Sequence, residues 1–219
     1  FTDFYWRSAW FADTTAKTIT DSGVITDGVD VNLLKMCDGL WKRLFALGSG
    51  QRTTIAANAE STYANQKSAI KVAGVALGIL DDILSNADSR IAANGGILMM
   101  TNSLYQAFRR DYAQAYKDTI PFMEVAEGVK LPTYDGIPVK PIMEWDTLIA
   151  KYENSTTALN APHRAVFASP ENLFVGTAAK DTLAEFDTTF DTITRYNYTY
   201  AASNIGTLIK EDALVQVAY

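Results

Sequence analysis

Pro162-His163-Arg164-Ala165-Val166-Phe167-Ala168-Ser169-Pro170-Glu171-Asn172-Leu173-Phe174-Val175-Gly176-Thr177 decides the reading of this chain. Four small and apolar residues, Ala165 to Ala168, stand between a proline-led entry and a Ser-Pro break, the pattern of a short buried strand. Ser169 to Asn172 form a turn. Leu173 to Val175 begin a second apolar run, which Gly176-Thr177 ends. After Thr177 the composition turns to β-formers. Tyr196, Tyr198 and Tyr200 fall with Thr194 on one face of a strand, Gly206 makes a turn, and Leu208-Ile209 and Leu214 to Val217 supply the closing strand or strands.

Upstream of the run the signals are helical. Val31 to Leu47 carries Leu33, Leu34, Cys37, Leu40, Trp41, Leu44 and Phe45 at helical spacing, with Asp30 as cap and Gly48 as stop. Gly48-Ser49-Gly50 reads as a boundary. Ile70, Ala73, Leu77, Leu80, Leu84, Ala87 and Ile91 then predict one amphipathic helix, ended by Asn94-Gly95-Gly96 unless Ser85-Asn86 divides it earlier, with Gly74 and Gly78 suited to close approach to a sheet and Asp81 and Asp82 facing water. Ile97 to Met100 is a short buried strand. Thr101 or Asn102 caps a helix bearing Leu104, Tyr105, Phe108 and Tyr112. Pro121 begins an extended region with Val129-Lys130-Leu131, a turn at Tyr134-Asp135-Gly136 and a strand from Ile137 to Ile142; Asn154 to Thr157 is a polar loop. Residues 1–11, rich in aromatics, read as a strand with one buried face.

The 219 residues are 48% hydrophobic and 20% charged, which excludes a disordered chain and permits a sizeable core. No run approaches the ~18 apolar residues of a membrane helix. A net charge of −6 with no basic stripe argues against a protein that grips nucleic acid. The single Cys37 fits a reducing cytoplasm and reads as a small buried hydrophobe. The start at Phe1, without a signal-peptide pattern, reads as a processed or trimmed product.

Chemistry has few places to reside. The only histidine, His163, has no partner at metal-ligand or triad spacing and reads as structural. Gly48-Ser49-Gly50 is not a nucleophile elbow, and there is no phosphate loop or dinucleotide fingerprint. The acidic pairs Asp81-Asp82, Glu144 with Asp146, and Glu211-Asp212 keep open a hydrolase built on two carboxylates, although no spacing selects one pair. Lys151, Lys180 and Lys210 read as surface charge. No catalytic, cofactor-binding or metal-binding residue is expected.

Three segments occur in the order found in tailed-phage major capsid proteins. "ILMMTNSLYQAF" (97–108) resembles the axial-domain strand and helix, "VKLPTYDGIPVKPIMEWD" (129–146) the following hairpin, and "HRAVFASPENLFVGT" (163–177) the passage back to the peripheral domain. "YNYTYAASNIGTLIKEDALVQVAY" (196–219) is similar to the closing peripheral strands. The resemblance runs from about Ala69 to Tyr219; the family's N-terminal arm and most of its extended loop have no match before Gly48. It implies an α+β protein of the tailed-phage major capsid fold (Hong Kong-phage type): residues 1–50 as part of the peripheral domain, 51–177 as the axial domain and 178–219 as peripheral closing strands. It further implies a structural virion protein, assembled in the bacterial host cytoplasm, whose copies form pentamers and hexamers of an icosahedral shell. That shell encloses double-stranded DNA without sequence-specific binding. The partners implied are identical subunits, a scaffolding protein, a protease and a portal; no membrane is involved. An encapsulin-like compartment shell is the alternative within the same fold, and the carboxylate hydrolase the alternative outside it.

Overall fold

A computed structural model describes residues 2–15, 18–19, 25–26, 37–150, 161–177, 185–191, 196–202 and 205–219. The described helices are α1 (Thr2–Phe11), α2 (Leu40–Phe45), α3 (Tyr63–Ala69), α4 (Val75–Asn86), α5 (Ser89–Ala93), α6 (Asn102–Tyr116) and α7 (Met143–Leu148). The strands are β1 (Thr18–Ile19), β2 (Ile25–Thr26), β3 (Arg52–Thr53), β4 (Ile97–Thr101), β5 (Phe122–Ala126), β6 (Val129–Tyr134) and β7 (Ile137–Ile142). They continue as β8 (Ala165–Ala168), β9 (Leu173–Thr177), β10 (Glu185–Asp191), β11 (Tyr196–Ala202), β12 (Ile205–Ile209) and β13 (Val215–Ala218). The class is α+β. The chain divides into two units, one of residues 1–17, 27–45 and 174–209, the other of 18–26, 46–173 and 210–219.

The larger unit is organised by a seven-stranded mixed sheet in the order β3-β13-β8-β4-β7-β6-β5. The Ala165–Ala168 run is its inner strand. It pairs antiparallel with β4 on one side, Phe167 opposite Leu98, and with β13 on the other, Phe167 opposite Gln216. All four of its residues are buried, as expected of a strand covered on both faces. β4 then pairs parallel with β7, so the chain must cross over between them; α6 and the β5–β6 hairpin form that crossover. Helices α4 and α6 supply Ile79, Leu80, Ile83, Leu104 and Phe108 to one core with Leu98, Met100, Val139 and Phe167. The turn between β6 and β7 has Asp135 at φ 49° and Gly136 at φ 75°. Two successive positive angles define the hairpin turn that Asp-Gly favours.

The Ser169–Asn172 turn has its own anchor. The Asn172 side-chain amide donates to the carbonyls of Glu211 (2.9 Å) and Leu214 (3.0 Å), and its Oδ1 accepts from the Glu211 N–H (2.8 Å). One side chain therefore satisfies three backbone groups just before β13 and fixes the register in which β13 meets β8.

In the smaller unit, α1 and α2 pack together, and Gly39 sits where any Cβ would lie 2.8–2.9 Å from the backbone of Trp10 and Ala12. Trp10 and Trp41 pack with ring centroids 6.0 Å apart. Lys42 bridges Asp13 and Asp38, 2.7 Å from each, and its hydrogen bond holds the Asp38 carboxyl down to about 2. β10 and β11 form an antiparallel ribbon in register from Glu185–Ala202 to Asp191–Tyr196.

Several expectations need correction. Residues 2–11 are helical, not extended: Tyr5, Ser8, Ala9 and Ala12 recur three and four apart and are buried. Within the helix expected over 31–47, residues 37–39 are not helical and the described helix runs from Leu40 to Phe45, because Asp38 accepts from the Thr14 N–H (3.1 Å) and Gly39 is pressed against α1. Asp30, Leu33 and Leu34 lie outside the described residues. Cys37 lies before this helix and is half-buried, with burial and the neighbouring Asp38 pushing its thiol up. The helix expected over 70–91 is two, α4 and α5: Gly74 (φ 82°) starts α4, which ends at Asn86 as the alternative division at Ser85-Asn86 has it, and Asp88 caps α5 by accepting from the Arg90 N–H (2.9 Å). The buried face of α4 is Ala76, Ile79, Leu80 and Ile83, while Leu77 and Leu84 are only half-buried; a Cβ at Gly78 would meet nothing. Gly206 lies inside β12 rather than in a turn. Residues 210–219 fall in the larger unit, because β13 is buried along its whole length and fills the sheet between β3 and β8. The Asn154–Thr157 loop and Thr194 lie outside the described residues.

Candidate functional site

The chemistry-bearing residues of the larger unit converge at the start of β8. His163 is fully buried, two residues before the strand. Its backbone is clamped by Asn58, whose Oδ1 accepts from the His163 N–H (3.1 Å) and whose Nδ2 donates to the His163 carbonyl (2.7 Å). Its ring is held at both nitrogens. Nε2 faces the Gln66 carbonyl at 2.8 Å and must be the protonated nitrogen, since a carbonyl only accepts. Nδ1 then accepts from the Ser103 hydroxyl at 3.1 Å. Gln66, also fully buried, donates from Nε2 to the Asn58 carbonyl (2.6 Å) and closes the network. Burial pushes the imidazole below its ordinary 6.5, the Gln66 carbonyl opposing in part, so the ring stays neutral.

Asp146 completes the cluster from α7. Its carboxylate accepts from the Asn102 N–H (2.6 Å) and the Ser103 N–H (3.0 Å), the first two amides of α6. Thr101, the residue before the helix, makes no side-chain cap, so the cap comes from 44 positions away in sequence. An anion over free N–H groups at the positive end of a 15-residue helix is well placed electrostatically. Asp111 does the same for α4, accepting from the Ala76 N–H at 3.0 Å while fully buried.

Ser103 and His163 are within reach of each other as a nucleophile and base would be, but the surroundings are those of a structural joint. The nitrogen that a carboxylate would orient faces a backbone carbonyl, and the helix amides that would stabilise an oxyanion are occupied by Asp146. The cluster joins α3, α6, α7 and the entry to β8. Asp146→Ala is expected to lower stability by about 1–2 kcal/mol, the range of a lost N-cap, with Asp146→Asn recovering part of it. Denaturant melts of the three proteins check this; an alanine loss under about 0.5 kcal/mol would contradict the capping role.

The other sequence candidates are dispersed. Asp81 and Asp82 are exposed on α4, and Asp81 accepts a hydrogen bond from the Tyr134 hydroxyl. Glu144 shares the first turn of α7 with Asp146, whose carboxylate is committed to α6. Glu211 pairs with Arg90 at 3.1 Å, and Asp212 is exposed in the turn before β13. Lys210 is exposed; Lys151 and Lys180 lie outside the described residues. No group of three metal-ligating side chains occurs, and no helix is long and apolar enough to cross a membrane, among the described residues. The sequence singled out His163 and Asp146 but missed Asn58, Gln66, Ser103 and Asp111. The last had a signal: an aspartate at the otherwise apolar spacing of Leu104, Phe108 and Tyr112.

No known family and no curated protein matches the chain. Among solved structures it is similar to the holo-SrpI encapsulin complex from Synechococcus elongatus PCC 7942, at 12% identity and a TM-score of 0.47, over 82% of this chain and 55% of that one. The chain thus spans about half the length of that protein.

Proposed function

We propose that this chain is a structural shell subunit of the tailed-phage major capsid type, associating through pentamers and hexamers into a closed icosahedral shell around double-stranded DNA. One observation carries the reading. The segments that resemble the family come in its order, and each is a self-contained piece of this fold: strand into helix at 97–116, Asp-Gly hairpin at 129–142, inner strand at 165–168. The change of unit between Leu173 and Phe174 falls inside "HRAVFASPENLFVGT", where the resemblance has the chain leave the axial domain. On this reading the larger unit is the axial domain and the smaller the peripheral one, with β13 returned to the axial sheet.

The chemistry is compatible with a structural role. The one histidine and Asp146 hold backbone, and a net charge of −6 suits a lining that encloses DNA without gripping it. Ring formation follows from heterologous contacts that rotation closes. Scaffolding, protease and portal proteins are the partners this reading implies.

Sedimentation of the protein expressed from the full reading frame that contains these residues tests the proposal. Fast-sedimenting particles are expected, and nuclease-protected DNA within them marks a capsid rather than a compartment that encloses protein cargo. A species that remains monomeric at every concentration would overturn it.

A further inference from the structure

A groove of about 550 Å³ opens on the larger unit between α4, the end of α6 and the β6–β7 turn. Its walls carry Tyr112, Tyr116 and Tyr134 together with Asp81 and Asp135. The rings form a nest: Tyr112 lies 4.6 Å from Tyr116 and 6.4 Å from Tyr134, the latter pair nearly perpendicular at 85°. Tyr134 is backed by Phe108, edge to face at 5.2 Å, so its position is fixed by the core. Its hydroxyl donates to one Asp81 oxygen, and burial together with Asp81 pushes the phenol up, which keeps it a neutral donor. That bond holds the Asp81 carboxylate at the wall of the groove.

Among the described residues, no lysine or arginine forms an ion pair with Asp81 or Asp135. Tyrosine faces are negative at the ring centre and add to the carboxylates. The volume lies in the range of pockets for small organic ligands.

We propose that this groove binds an organic monocation, an alkylammonium or guanidinium group, seated among the tyrosines and attracted by Asp81 and Asp135. The site stands apart from the His163 network and does not depend on the shell reading. The cation can come from a free small molecule or from a basic side chain of another protein, and the chemistry is shared.

The test is an NMR titration of the whole protein with choline chloride and, separately, with N-acetyl-arginine amide hydrochloride, against sodium chloride at equal ionic strength. Saturable shifts of the Tyr112 and Tyr116 ring signals are expected with at least one probe. Tighter binding of choline indicates a free cation, and tighter binding of the arginine amide a protein side chain. Asp81→Asn with Asp135→Asn should weaken binding about tenfold, since asparagine tolerates the positive φ of residue 135. Tyr116→Leu should weaken it about fivefold and Tyr116→Phe hardly at all. Tyr116 is exposed, so these two variants decide the matter if the double variant fails to fold. Shifts that do not saturate, that sodium chloride reproduces, or that persist with unchanged affinity in Tyr116→Leu would overturn the proposal.

Discussion

Phe167→Ala is expected to lower the unfolding free energy by about 3–5 kcal/mol, the range for emptying a filled aromatic site. Phe167 is 2% exposed in the inner strand of the sheet, paired with Leu98 and Gln216. It also packs over Gly96, where an added Cβ would lie 2.8 Å from Cε2 of its ring and 2.7 Å from the Ile91 carbonyl. The backbone is so close here because Gly96 allows it, and the ring fills the remaining space. With neighbours held by strand pairing on both sides, little collapse can relieve the cavity. Chemical denaturation with a constant m-value measures the loss. A cost under about 1 kcal/mol would mean that β8 is not the inner strand.

His163→Leu is expected to cost roughly 2–4 kcal/mol and to change the pH dependence of stability. The new side chain leaves the buried Gln66 carbonyl without its donor, an orphaned group that costs about 1–3 kcal/mol, and takes from the Ser103 hydroxyl its nearest acceptor, leaving it the Pro162 carbonyl at 3.4 Å. The sign of the pH effect follows from the depressed imidazole. Below 6.5 the unfolded chain binds a proton that the folded chain refuses, so wild-type stability falls as pH drops through 6.5. Between about pH 6.5 and 5, above the carboxylate range, His163 supplies this slope. The leucine variant should be less stable at pH 7.5 and nearly flat across that interval. Equal slopes in the two proteins would show that the ring is protonated in the fold.

The legible parts of the fold are those whose signal is local. The Ala165–Ala168 strand, the strand-to-helix step at Thr101-Asn102 and the Asp135-Gly136 hairpin are each specified by a few adjacent residues. The failures have a common origin in tertiary packing. Residues 2–11 carry aromatics that suit a strand by propensity, yet their buried positions repeat at helical spacing. The apolar spacing over 70–91 runs through two caps, Gly74 and Asp88, because periodicity continues in phase across breaks it cannot see. The last strand was read with its sequence neighbours, whereas Asn172 and β8 draw it into the other sheet.

The candidate site was legible by half. His163 is unusual because it is the only histidine, and Asp146 because it stands beside Glu144. Their partners Asn58, Gln66 and Ser103 are ordinary polar residues 97–105 positions before His163 or, for Ser103, 60 before it. No short-range pattern links such separations. Only the tertiary fold brings them together, with His163 bonded to the Gln66 carbonyl and Asp146 to the first amides of α6.

Electron microscopy of the product of the full reading frame, with and without a co-expressed scaffolding partner, tests the central claim most directly. The account predicts closed shells of uniform size, built from rings of five and six subunits. A product that stays monomeric at high concentration under both conditions would contradict it.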